Sequence, residues 1–228
     1  MSDPHEEHPV NPIPPLILAI AGVIVALELV FQLGSRGMAG GPAAVGWRSE
    51  AIRTYGFSNR ALAFMIETGT VRLDYVLRFV TYPFVHGSLM HALFASVMVL
   101  AIGKFVSERI ETWAVLVLFF VSCISGALAF GLIYPDGPGL IGAFPGVYGL
   151  IGGFTFLIWL RLGELGENQM RAFGLIGFLM AFQLIIGLLY EDGNTWIADV
   201  AGFVAGFALS FVLVPGGWTK LREKLQRR

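Results

Sequence analysis

The sequence predicts an all-α, polytopic membrane protein: six transmembrane helices in one bundle, with a long first loop. Three observations predict it. The chain is 56% hydrophobic and only 14% charged, with a positive mean hydropathy, outside the range of soluble domains. Its apolar runs approach the roughly 20 residues that a helix needs to cross a bilayer. No hydrophilic linker or internal repeat divides its 228 residues. The net charge of -1 leaves no footprint for nucleic acid, and the single Cys123 excludes an intramolecular disulfide.

The spans follow in order. The first runs from Pro15 to about Leu33 and is interrupted only by Glu28; the second runs from about Gly87 to Val106, and the third from about Thr112 to Tyr134. The fourth, Pro145 to Leu160, is short for a full crossing, so its start is expected below the membrane surface. The fifth covers about Ala172 to Tyr190 and the sixth about Thr195 to Val214. Between the first two spans, Gly34 to Val85 reads as a loop carrying short interfacial helices, with Trp47, Phe57, Leu62 and Phe64 among its apolar positions. The organisation is thus a short polar tail (1–14), a transmembrane domain (15–214) and a basic tail (215–228).

Lys and Arg set the expected orientation. With both termini in the cytoplasm, Lys104, Arg109, Arg161, Arg171 and the tail "KLREKLQRR" lie inside, while Arg36, Arg48, Arg53, Arg60, Arg72 and Arg78 share the long loop outside. Long loops weaken the positive-inside rule, and the basic tail decides. The N-terminal "MSDPHEEHPVNP" has no Lys or Arg, unlike a secretory signal.

Three polar or glycine-rich blocks break the apolar pattern. "LRFVTYPFVHGSLMHALFA" places Arg78, Thr81, His86 and His91 at the mouth of the second span. "GAFPGVYGLIGGF" carries glycines at 142, 146, 149 and 153, which on a helix would line one face. "ADVAGFVAGFALS" carries Asp199 and a second pair of small residues, Gly202 and Gly206. In this order the blocks resemble the rhomboid intramembrane serine proteases, with their R-x-x-T-x-x-x-x-H-x-x-x-x-H, G-x-S-G and A-H-x-x-G-x-x-x-G segments. Such a resemblance implies a rhomboid-like six-helix bundle, and the expected location is a bacterial-type inner membrane.

It also implies a mechanism that these residues do not supply. In the family a serine opening the fourth span attacks the peptide carbonyl after a histidine on the sixth takes its proton. Here the serine position is Phe144, the next glycine is Pro145, and the histidine position is Asp199. The second-span histidine, His91, is kept, but the asparagine that joins it in stabilising the oxyanion is Ala95. Pro145 removes a further backbone donor and, being tolerated at the first helical position, can open the fourth helix. Tyr148 stands where the family stacks an aromatic ring on its base. Phe144, Asp199, Ala95, His91, His86 and Tyr148 are therefore read as a vestigial site without cofactor or metal.

The expected function is a catalytically inactive rhomboid-like protein that binds membrane lipid and the transmembrane helices of clients. One alternative is a peptidase with a relocated nucleophile such as Ser88, although Ser88, Ser122 and Ser125 also suit hydrogen bonding to helix backbone. Another is an ion- or metal-binding protein using His86, His91 and Asp199. Five residues separate the histidines, about 140° on a helix, so they converge only if His86 precedes it. Phe144 either fills the former hollow or is an ordinary packing residue. Asp199 is reached by water, is protonated, or pairs with His91 or His86 across the old site, and pairing is the expectation.

Overall fold

In hydrocarbon every backbone N–H and C=O must be satisfied within its own segment, so the apolar runs of this chain become helices. The computed structural model describes residues 12–181 and 194–215. Along them run α1 (Pro15–Ser35), α2 (Trp47–Tyr55), α3 (Asn59–Thr68), α4 (Leu73–Thr81), α5 (Leu89–Ser107), α6 (Thr112–Ile133) and α7 (Phe144–Glu164). A shorter apolar helix, α8, is described over Gln169–Ala181, and α9 spans Trp196–Leu213. Among the described residues α1, α5, α6, α7 and α9 are long and apolar enough to cross a membrane. The remainder of the expected fifth span, 182–190, lies outside the described residues, as do nearly all of both tails.

The expected fourth span is corrected. It is a helix of 21 residues, because it continues past Leu160 through Arg161 to Glu164. Its first helical residue is Phe144, which places Pro145 second, where a missing N–H still leaves no helical acceptor unpaired. Gly142 is outside the helix, in the left-handed region at φ 90°, so it belongs to a turn and not to the helical stripe.

Small residues set the packing. Lipid is as apolar as leucine, so close backbone approach and van der Waals contact select which helix faces meet. On α1 the buried positions Ile17, Ile20, Ala21, Ile24, Glu28 and Phe31 recur every three or four residues and form one face. This face packs on α5, where Gly103 admits Ile17. The central helix is α7, buried against α5, α6 and α9. Its Gly146 lies against Phe119 and Cys123 of α6, its Gly149 against Ser122, and its Gly152 against the α9 backbone at Phe203 and Phe207. From α9, Gly202 and Gly206 return the approach, lying against the backbone of Pro145 and Gly149. The expected tight pairing of the fourth and sixth spans is therefore present, and part of the α7 stripe also serves α6.

The first loop is built of short helices, as its pattern predicts. The N–H and C=O of Phe57 pair with those of Leu140 at 2.9 and 3.0 Å, a lone antiparallel bridge between the loop and the α6–α7 connection. Gly139, at φ 89°, lets the Phe57 carbonyl approach that connection. Phe57 and Leu62 bury themselves against Gly131 of α6, and the Asn59 amide donates to the Tyr134 carbonyl. Arg78 donates to the Gly56 carbonyl at 3.4 Å and lies over the Tyr75 ring.

Candidate functional site

Three segments converge where α5 and α7 begin. Ser88 caps α5: its Oγ accepts the His91 backbone N–H at 3.2 Å, satisfying a donor that the first helical turn leaves open. His86 consequently precedes the helix, and the condition for the two histidines to meet is fulfilled. Their rings are edge to face with centroids 4.8 Å apart.

Backbone groups orient His86, which is 1% exposed. Its Nε2 accepts the Ala143 N–H at 3.3 Å, and its Nδ1 faces the Phe84 carbonyl at 3.4 Å. Acceptance at Nε2 assigns the proton to Nδ1, so this geometry describes a neutral imidazole. Burial first, and the neighbouring His91 second, push His86 down to about 4 from its ordinary 6.5. The unfolded chain takes up this proton at higher pH than the folded one. Stability should therefore be complete above about pH 6.5 and be lost progressively as pH falls toward 4. Unfolding midpoints in detergent across that range, compared with those of His86→Gln, test this; equal pH profiles would refute it.

Phe144 lies flat on His91, with ring centroids 5.3 Å apart and planes 17° from parallel. The ring thus covers one face of the histidine. Gly142 turns the chain beneath: a methyl group there would meet His91 Nε2 at 2.5 Å. Ala95 is fully buried one turn along α5 from His91 and presents only a methyl group.

Asp199 is 4% exposed and lies in the first turn of α9, where the helix N-terminus favours a carboxylate. With α9 starting at Trp196, it is about 4.5 Å into the helix. Its charge bears on Tyr148, Tyr82 and Cys123. The groups bearing on His86 are His91, Phe84, Glu28 and Arg48. Tyr148 is buried and belongs with Asp199 on the α7–α9 side. Among the described residues no three His, Cys, Asp or Glu side chains converge as metal ligands.

Glu28 is the residue that interrupts the apolar run of the first span. Arg48 of α2 grips it with both terminal nitrogens, at 2.8 and 2.7 Å. The same guanidinium donates to the His86 carbonyl at 2.7 Å and lies 5.3 Å from the centre of the Phe31 ring. Gln32 also donates to Glu28 Oε1, at 2.8 Å. The span of α1, the first loop and the approach to α5 are thereby joined at one ion pair. The one legible signal was an acid inside an apolar run, which requires a partner. Ser122 departs from its expected role: its buried Oγ has no hydrogen-bond partner.

These features define a polytopic helical membrane protein whose polar residues gather at the ends of α5, α7 and α9, a site inside the bundle. The chain belongs to the rhomboid family: residues 74–216 match the Rhomboid domain. It is 30% identical over 132 residues to Rhomboid-like protease 3 of Toxoplasma gondii, covering 58% of this chain and 49% of that protein. It is 25% identical over 138 residues to RHOMBOID-like protein 5 of Arabidopsis thaliana, covering 60% and 44%. The chain spans less than half the length of these relatives.

Proposed function

We propose that this chain is a catalytically silent rhomboid that binds transmembrane segments without cutting them. The observation that carries this reading is the Phe144 ring stacked on His91. The nucleophile expected there would need a hydroxyl and a base, and this position offers a hydrocarbon ring pressed on an imidazole. Asp199, at the position of the base, is buried in the first turn of α9. The Ala143 N–H, near the expected oxyanion site, is already engaged by His86. Against the relocated-nucleophile alternative, the capping hydrogen bond accounts for Ser88 without chemistry.

Clients are expected to enter laterally between α5 and α8. The exposed apolar residues Leu93, Phe94 and Val97 of α5 and Phe178 of α8 provide adaptable surface there. Positive charge on the connections and tail supports both termini in the cytoplasm, and the membrane we propose is of bacterial inner-membrane type. Phe182, a further candidate contact, lies outside the described residues.

Intact protein in native membranes should resist fluorophosphonate labelling and leave a transmembrane substrate uncut. Photo-crosslinkers at Phe178 and Met180 should capture a membrane-spanning partner more strongly than a probe at Lys224. Covalent labelling abolished by Ser88→Ala would establish the relocated nucleophile instead. Lipid alone at α8, with a soluble protein at the tail, would make the molecule an anchor for a soluble complex.

A further inference from the structure

A cavity of about 370 Å³ lies away from the His91–Phe144 contact, between α1 and the first loop. Val23, Leu27 and Phe31 form its α1 wall; Ala51 of α2 and the turn residues Phe84 and Val85 face them. Its lining is almost wholly apolar, so a water there would lack the polar partners it needs. The volume is in the range of small-molecule sites.

Shape selects the occupant. From Val23 to Phe31 is eight residues, so the cavity extends about 12 Å along α1. A helix about 10 Å wide and 12 Å long would occupy on the order of 900 Å³, well beyond this space. A single hydrocarbon chain is narrow and long. The helix forming the wall is a membrane span, and Val23, at its mid-membrane end, is 47% exposed, so the mouth opens onto hydrocarbon. At the loop end the exposed Arg36 stands about 7.5 Å beyond Phe31 along the axis, at the level of lipid headgroups.

We propose that this cavity takes one acyl chain of a phospholipid from the leaflet on the loop side, with its phosphate toward Arg36. The chain would wedge α2 against α1 and back Phe84 and Val85, the residues immediately before His86. Bound lipid would thus support the segment that Arg48 holds through the His86 carbonyl. This site is separate from the lateral surface proposed for clients and stands whether or not the protein cuts peptides.

The test uses the full chain in nanodiscs containing a trace of phosphatidylglycerol with a diazirine in mid-chain. Irradiation followed by peptide mapping should place adducts on the α2 peptide containing Ala51 and on the peptide containing Phe84. Ala51→Trp, which fills the cavity, should reduce these adducts several-fold while leaving those at Leu93 on α5 unchanged. If Ala51→Trp fails to fold, Val23→Phe narrows the mouth at a position already exposed and should act in the same direction. Adducts confined to outward residues such as Val25, Leu29 and Leu93 would overturn the proposal. Undiminished loop labelling in a folded filled variant would also overturn it, as would capture of a protein helix by a photo-crosslinker at Ala51.

Discussion

Replacing Arg48 with methionine should destabilise the protein by about 3–5 kcal/mol, the range for removing one partner from a buried ion pair. Glu28 is 4% exposed and Arg48 19%, so the surviving carboxylate would be left largely out of water. The loss extends beyond that charge. The His86 carbonyl loses its 2.7 Å donor and Phe31 loses its overlying guanidinium. Arg48→Lys should fall between the wild type and Arg48→Met, because an ammonium cannot repeat the two-pronged grip on Glu28. The double variant Glu28→Leu with Arg48→Met should recover much of the loss, since replacing a buried pair with apolar groups removes the uncompensated charge. Equilibrium unfolding in mixed micelles, run as a double-mutant cycle, measures each term. An unchanged midpoint for Arg48→Met would mean that water reaches this pair and that the loop is held by other contacts.

The second large effect is expected from a single methyl group on α9. A Cβ at Gly202 would enter the van der Waals envelope of the Pro145 carbonyl oxygen, and one at Gly206 would enter that of the Gly149 carbonyl oxygen. Both obstacles are backbone, so no side-chain rotation relieves them; α7 and α9 must separate. Gly202→Ala and Gly206→Ala should each cost about 1–3 kcal/mol as overpacking, and valine at either position more. Intrinsic helix propensity acts in the opposite direction, by up to about 1 kcal/mol in favour of alanine, so a net loss isolates the packing term. Gly22→Ala is the matched control, because nothing lies within 4 Å of its added Cβ. If Gly22→Ala and Gly206→Ala shift the unfolding midpoint equally, the close approach of the two helices is wrong.

Much of the fold was legible because the requirements for crossing hydrocarbon act locally. A helix must be about long enough and apolar enough, and the runs from Pro15 and Thr112 meet both conditions before any packing is known. Helix ends were less legible. The C-terminus of α7 passes beyond Leu160 because an exposed terminal turn tolerates Arg161 and Glu164, which pair with each other at 3.5 Å. Gly142 illustrates the opposite error: its spacing fits the glycine stripe, but a glycine at φ 90° before Phe144 serves a turn.

The site was legible in identity and less so in geometry. Phe144, Ala95 and Asp199 stand out in the sequence because they interrupt a recognisable order of blocks. Which groups they touch depends on helix rotation and on where each helix begins. His86 meets His91 because α5 begins only at Leu89, after its Ser88 cap, and leaves His86 outside the helix. Asp199 bears on Tyr148 because Gly202 and Gly206 bring α9 onto α7 on that face.

By itself the sequence determined that this chain is a helical membrane protein, which apolar runs are long enough to cross, and that a phenylalanine stands at position 144. Each of these follows from residue chemistry summed along one segment or read at one position. Only the tertiary structure decided that Glu28 is held by Arg48 twenty residues away, that Phe144 covers His91, and that an apolar cavity separates α1 from the loop. The physical reason is that lipid and protein interior are equally apolar. Hydropathy therefore cannot tell an inward face from an outward one, and partners are chosen by shape and by the few polar groups that must find each other across the bundle.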